Sequence, residues 1–437
     1  MSALRDRLRR LTKSESRKTH DEERDQPARS GEVQGGGAAD ADGYDAEQIA
    51  WKRIDAEIWH SEGGAFIRRA RRYGLDHRHG LCRLGELRQL DEHLAALSTA
   101  GKQPLHPQEV LFFDTETTGL GIGAGNVPFM IGYGFLDDEA FVVEQLFIRS
   151  PAEEYDALAY FRKVLERFSY IVTYNGRAFD WSVLMNRFVL HRLPPAAPAQ
   201  IDLLYPARSL WKHELPSCRL SIVEGQRLGY HRGADLPGSE APVRYMQYLS
   251  SRHVSDVEEV FTHNERDILS LAALAVHFQR LLTQAIGDLQ LGAEEVVRLS
   301  AWLDKLGMRR RAQEVLAAGV SSKRMGRQQL LDAAALYKRW HEHDKAAALW
   351  RLYIQRSAGM LHAWEPLIEL AMYYEHRARD LETALHCTLR ARRLVERRLA
   401  LERGRRTDRE LLQQIDHRLA RLQRKLKRPE QEVIRFH

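Results

Sequence analysis

The sequence is short of the residues that brace small secreted folds, and it lacks the segments that cross membranes. Its 437 residues hold three cysteines, Cys82, Cys218 and Cys387. Odd in number, far apart and outside any C-x-x-C spacing, they argue against a disulfide framework or a zinc site and for a reducing compartment. No apolar run reaches the roughly 18 residues that a spanning helix needs, and Met1–Lys13 lacks the apolar stretch of a secretory signal. The 19 histidines form no His-x-x-x-His pair with a third plausible ligand beside it, so a zinc enzyme is not expected. A cytoplasmic protein without membrane contact is the expectation.

What is present is an ordinary globular balance, 44% apolar and 29% charged, with a net charge of +6. That sum hides an asymmetry. Residues 105–281 carry 16 Lys/Arg against 22 Asp/Glu, a balance of −6, whereas residues 390–437 carry 16 against 7, a balance of +9. An acidic centre beside a basic flank suits a protein that draws in a polyanion and gathers carboxylates where a metal binds. A solvated Arg-rich helix is the plain alternative for the flank.

Composition and periodicity divide the chain. Residues 1–45, with Gly35-Gly36-Gly37 and few large apolar groups, read as a disordered leader. Residues 46–104 read as a helical lead-in, with Trp51, Ile54 and Ile58 and then Leu84, Leu87 and Leu94 at helical spacing around the basic stretch Arg68–Arg78. In residues 105–285 the period shifts. Val110–Asp114, Phe129–Leu136 and Phe141–Ile148 predict a meander of three strands. A helix (Ala152–Phe168), a short strand (Tyr170–Tyr174), a second helix (Ala178–Leu190) and a long closing helix (about 254–282) come next. That order predicts an α/β, RNase H-like mixed-sheet core. Residues 290–430 read as all-α. Ala335-Leu336-Tyr337 recurs as Ala371-Met372-Tyr373, and Ala348-Leu349 as Ala384-Leu385, both 36 residues on. Small residues at such offsets suit paired helices of tetratricopeptide type, with a plain helical bundle as the alternative.

Three constellations carry chemistry. Val110–Phe113 is an apolar run that ends in Asp114-Thr115-Glu116-Thr117-Thr118-Gly119-Leu120. At i, i+2 on a strand both acids face one way, and two like charges closing a buried strand cost several kcal/mol unless neutralised. A divalent cation is the natural counter-charge. Asn175-Gly176-Arg177-Ala178-Phe179-Asp180 turns from a strand into a helix, with Asp180 in its first turn. His263 and Asp267 sit one helical turn apart and face the same way. Taken singly, an ordinary Asp at a helix start is the alternative for the second, and a surface capping or salt-bridge contact for the third. Gly119–Gly125 mimics a dinucleotide loop but leads to a strand rather than opening a helix, which excludes a Rossmann site.

Taken together, these motifs resemble the three exonuclease motifs of the DEDD superfamily. More narrowly, residues 65–274 resemble the YprB-type family of RNase H-like proteins, through Arg78-His79-Gly80, Ile201-Asp202-Leu203-Leu204, Leu215–Leu220 and His263-Asn264 before Asp267-Ile268. A tetratricopeptide-like tail also occurs in members of that family. The resemblance implies two divalent cations, Mg²⁺ or Mn²⁺, held by Asp114, Glu116, Asp180 and Asp267. It implies 3′→5′ hydrolysis of single-stranded DNA or RNA by a two-metal mechanism, with neutral His263 as the general base. Thr117, Thr118 and Leu120 would line the terminal nucleotide, Asn175 would touch sugar or phosphate, and Asp202 would orient a ligand or cap a helix. Trp181 and Trp211 would stack on bases or lie in the core. One feature departs from the pattern: the class has His five residues before the last Asp or Tyr four before it, and this chain has His at four. The other expectations are an inactive RNase H-like platform whose helical repeats recruit a protein partner, and an RNase H-like endonuclease.

Overall fold

The computed structural model describes residues 46–100, 104–119, 121, 123, 125–322, 325–357, 360–401 and 406–427. The expected leader, Leu120 and the last ten residues lie outside these. The chain forms two compact units, Met1–Gln284 and Ala285–His437, and among the described residues no helix is long and apolar enough to cross a membrane.

The first unit is built on a seven-stranded mixed sheet. Its strands are β1 (Ala56–His60), β2 (Ala65–Gly74), β5 (Val110–Thr117), β6 (Pro128–Leu136), β7 (Ala140–Phe147), β8 (Tyr170–Thr173) and β9 (Ala199–Asp202), in the spatial order β1-β2-β7-β6-β5-β8-β9. A separate small hairpin pairs β3 (Arg78–His79) with β4 (Cys82–Arg83). The meander β5-β6-β7 is antiparallel, and β8 and β9 run parallel to β5 on its other side. Of the 25 residues in β5, β6 and β7 only Asp114 escapes full burial. Covering both faces in this way requires the nearly continuous apolar runs read in the sequence. At the β6–β7 turn one Asp137 oxygen accepts from the amides of Glu139 (2.9 Å) and Ala140 (2.7 Å), a short polar side chain closing a hairpin.

The helices of this unit include α1 (Glu154–Leu165), α2 (Asp180–Leu190), α3 (Leu204–Trp211), α4 (Ala241–Ser251) and α5 (Glu258–Thr283). The long helix α5 lies on β5, β6 and β7. Its small and aliphatic run Leu269–Val276 is fully buried.

The helical lead-in needs correction. Residues 46–52 are helical, but Ile58 lies in β1 and the basic stretch forms β2, which adds the sheet's last two strands beyond β7. Partners far away in sequence make a strand of it. Arg69 is buried with Nη1 2.7 Å from Glu265 on α5, while Arg68 pairs with Glu144 on β7 (2.8 Å) and lies 4.6 Å over the Trp59 ring. Trp51 enters the core, its ring 5.6 Å from Phe147 and 5.8 Å from Tyr248. Leu84, Leu87 and Leu94 are buried from short helical turns, Leu84–Gln89 and Glu92–Ala95.

Among the described residues the second unit is built of helices: α6 (Ala293–Lys305), α7 (Arg309–Ser321), α8 (Arg327–Arg339), α9 (His343–Arg356), α10 (Trp364–Tyr373), α11 (Leu381–Leu401) and α12 (Arg406–Lys427). Packing joins α6 to α7, α8 to α9, α10 to α11 and α11 to α12. The 36-residue identities map exposed Ala335 and Ala348 onto buried Ala371 and Ala384, whereas Ala334 and Ala347, 37 residues before them, are fully buried. The repeated Ala-Ala-Ala runs at 333–335 and 346–348 allow neighbouring registers, and burial selects this one. Part of the basic flank is paired. Arg418, Arg421 and Lys425 of α12 all reach the buried Glu375 at 2.7–3.0 Å, and Arg392 reaches Asp416 at 2.6 Å.

Candidate metal and nucleic-acid site

The four expected carboxylates gather at one end of the sheet. Asp114 and Glu116 come from the end of β5, Asp180 from the first residue of α2, and Asp267 from the third turn of α5. Asp114 is driven far above the usual carboxylate range by burial and by the neighbouring charges of Asp267, Asp180 and Glu116. Glu116 is raised for the same reasons, with Asp235 adding to Asp267 and Asp180. Burial pushes Asp180 up to about 6, against the hydrogen bond that Thr115 Oγ1 donates to it. Asp114, Glu116 and Asp180 therefore resist ionisation, chiefly because they are buried, and for Asp114 and Glu116 also because acids stand close by. That is the electrostatic signature of a place built to receive positive charge. The donors are all carboxylate oxygens, which suits a hard divalent cation such as Mg²⁺ or Mn²⁺. Among the described residues the His/acid group whose ligand atoms all lie within 4.8 Å of one another is a different one, Asp91, Glu92 and His93. There Asp91 Oδ1 caps its own helical turn and accepts from Gln279, so that oxygen already has structural partners.

A row of residues across four strands holds Asp114. The sheet register aligns Asp114 with Gly132, Gly132 with Gln145, and Gln145 with Arg69. Asn264 of α5 descends over Gly132, where a Cβ would lie 1.9 Å from its Oδ1. From there Asn264 Nδ2 donates to Asp114 (3.0 Å), Gln145 Nε2 donates to Asn264 Oδ1 (2.9 Å), and Arg69 Nη1 donates to Gln145 Oε1 (2.8 Å). Glycine at 132 is thus required by a close approach, and the buried amide chain fixes Asp114 from three strands away.

His263 turns Nε2 toward the cluster, 3.5 Å from Asp267 Oδ2 and 4.0 Å from Glu116 Oε1. The four-residue spacing therefore brings the ring to the carboxylates. Two residues that sequence patterns did not single out complete this side, both on the loop after a single π turn (Glu224–Leu228). Asp235 accepts from His263 Nδ1 at 3.0 Å, and Arg232 reaches both Asp267 and Asp235. Burial raises the Asp235 carboxyl, but bonds from Arg232 and His263 outweigh it and hold the group below its usual range. Arg232 also grips Glu224, which accepts from Ser270 Oγ (2.5 Å), and Ser270 meets His79 Nε2 (2.8 Å). Burial lowers His79 to about 3, so it is neutral, and its ring stacks 3.8 Å from Tyr230.

The expected nucleotide-contacting residues divide. Thr117 Oγ1 donates to Gly119 O (2.7 Å), and Thr118 Oγ1 donates to Asn126 Oδ1 (3.3 Å) and accepts from Val127 N (3.0 Å), so both hydroxyls are engaged in shaping the loop. Asn175 is exposed, in left-handed backbone (φ 66°), and its amide donates to Asp202 (2.8 Å). Asp202 also accepts from Arg177 N and Leu204 N, which ties the turn at 175–177 to the start of α3. Gly176 beside it leaves no room for a side chain, since a Cβ would lie 2.6 Å from Thr173. Trp181 and Trp211 are buried, the latter stacked on Phe278.

Residues 111–279 match the RNase_H superfamily. The chain is 32% identical over 324 residues to the uncharacterized protein YprB of Bacillus subtilis (strain 168), an alignment covering 72% of this chain and 77% of that one. The match reaches well beyond the RNase H-like segment at a level that random similarity does not sustain. With the mixed sheet and the acidic cluster at its end, it shows an RNase H-like, nucleic-acid-processing domain in a chain that belongs to the YprB family.

Proposed function

We propose that the protein is a metal-dependent 3′→5′ exonuclease acting on single-stranded nucleic acid. The observation that carries this reading is the convergence of Asp114 and Glu116 from β5, Asp180 from α2 and Asp267 from α5, where burial raises the first three and the charges of Asp267 and Asp180 raise Asp114 and Glu116 further. Such a set of carboxylates is costly to bury and becomes favourable once divalent cations are held there. Asp114, Glu116, Asp180 and Asp267 would hold two such ions, Mg²⁺ or Mn²⁺. Bound, the ions supply an acidified water and charge neutralisation at the leaving 3′-oxygen.

The chain's own residues do the rest. The Arg69–Gln145–Asn264 row keeps Asp114 oriented, and Thr115 holds Asp180. His263, with Nε2 at the edge of the cluster, takes the proton from the attacking water. Exposed Asn175, raised on the Asp202-braced turn, meets the sugar-phosphate of the terminal nucleotide.

The test is digestion of matched 5′-labelled single-stranded DNA and RNA, and of a circular single strand, with Mn²⁺. A ladder shortening from the 3′ end, absent in Asp114→Ala and slowed about 10²-fold in His263→Ala, is expected, with the circle intact. Cutting of the circle would establish an endonuclease instead. Binding without cleavage would establish a nucleic-acid platform, with the helical unit as the place to seek a protein partner.

A further inference from the structure

The unusual histidine spacing raises a mechanical question: what aims a ring carried one residue nearer to Asp267 than the histidine subclass has it? The structure supplies an anchor behind the ring. Asp235 Oδ2 lies 3.0 Å from His263 Nδ1 and 3.0 Å from Arg232 Nη1, while its other oxygen takes Arg266 Nη1 at 3.1 Å. Arg266 also holds the carbonyl of Ala234 (2.9 Å), so the loop and α5 are joined on both sides of Asp235. Arg232 is held in turn by Glu224, which accepts from Ser270 Oγ as well.

A carboxylate facing Nδ1 can only accept, so the neutral ring keeps its proton there and presents the Nε2 lone pair to the other side. That side faces Glu116 and Asp267. The loop passes the same atom at Gly238, where a Cβ would sit 3.6 Å from Nε2, so no side chain blocks it. Around the ring the titratable neighbours have defined places: Asp235 behind, Arg232 and Arg266 on Asp235, Glu116 and Asp267 in front.

We propose that Asp235, braced by Arg232 and Arg266, is the positioning residue that fixes the tautomer and direction of His263, and so lets a histidine four residues before the last Asp serve as the base. This rests on the exonuclease reading of the same site. The arrangement resolves the spacing departure: the ring's aim comes from a loop carboxylate 28 residues upstream rather than from its own helix.

The experiment compares ¹⁵N-histidine-labelled full-length wild type, Asp235→Ala and Asp235→Glu at pH 8, without metal and with Mg²⁺. His263→Gln assigns the signal among the 19 histidines. In the wild type His263 is expected with Nδ1 protonated and Nε2 bare. In Asp235→Ala the carboxylate facing Nδ1 is gone, and the acids in front of the ring, Asp267 and Glu116, draw the proton to Nε2. Its kcat should fall at least about 10-fold with KM and Mg²⁺ affinity unchanged. Asp235→Glu should restore the Nδ1 proton and part of the rate. A wild-type tautomer in Asp235→Ala, or an unchanged kcat with only a lowered Tm, would reduce Asp235 to a loop salt bridge and overturn the proposal. The tautomer is read without substrate, so a wild type that cleaves nothing counts against the exonuclease reading, while the tautomer shift still decides the role of Asp235.

Discussion

In the sheet unit, one network of buried ionisable side chains leads to the end of β5, apart from local pairs such as Arg187 with Glu154; in the helical unit the described buried charges pair helix to helix. Arg69, Glu265, Glu224, Arg232, Asp235 and His79 are all buried or half-buried, and their hydrogen bonds lead toward Asp114, Asp267 or His263. Glu375 is as fully buried as any of them, yet it ends on Arg418, Arg421 and Lys425 of α12 and fastens one helix to another. The comparison separates two uses of buried charge. One orients groups for chemistry and tolerates strong mutual repulsion; the other ties elements together with each charge answered locally.

Three substitutions test that division. The largest effect is expected from Gly132→Ala, which places a methyl 1.9 Å from Asn264 Oδ1. Asn264 must leave Asp114, and Mn²⁺ affinity measured by calorimetry should fall about 10–100-fold, with about 1–3 kcal/mol lost from overpacking. Wild-type affinity in a folded Gly132→Ala protein would show that the amide row does not support the ligand.

Next is the pH response of the metal-free protein. Asp180 is raised from 3.8 to about 6, and Asp114 and Glu116 are raised as well. The folded state therefore keeps protons that the unfolded chain sheds. The resulting stabilisation is complete below pH 4 and is lost as pH rises through 6. Between pH 4 and 7, Tm should decline more steeply in the wild type than in Asp180→Asn, and added Mg²⁺ should raise Tm most at the upper end. Parallel pH curves for the two proteins would remove Asp180 from the acidic cluster.

The smallest effect on chemistry is expected from Glu375→Gln. Three cations lose their shared partner, at a cost of about 1.5–3 kcal/mol read as a lowered Tm, while cleavage at a temperature where both proteins are folded stays at the wild-type rate. A loss of rate there would mean that buried charge in the helical unit also serves the site.

The parts of this architecture that were legible in the sequence are those with a period or an abrupt end. Val110–Phe113 closing on Asp114 and Glu116 announces a buried strand with charges at its tip, and Asp267 with His263 is visible as one helical turn. Arg232 and Asp235 lie in a loop whose value depends on what stands across from it in space, and no spacing encodes that. Asn264 adjoins His263, yet its role becomes visible only through Gly132, a glycine in the middle of a strand that signals a close approach. β2 was hidden because four arginines in ten residues obscure its alternation, and Arg69 is tolerated inside only because Glu265 and Gln145 meet it there.

β2 also has a practical consequence. The superfamily match begins at residue 111, and a fragment cut there would seem to contain the whole catalytic domain. It would leave β7 as a bare edge: eight residues, Ala140–Phe147, all buried in the intact chain, offering an unpaired row of amides and carbonyls to any neighbouring strand. Such a fragment should self-associate and should also lack the arginine that begins the chain of contacts to Asp114. The smallest piece worth purifying therefore begins ahead of Trp51.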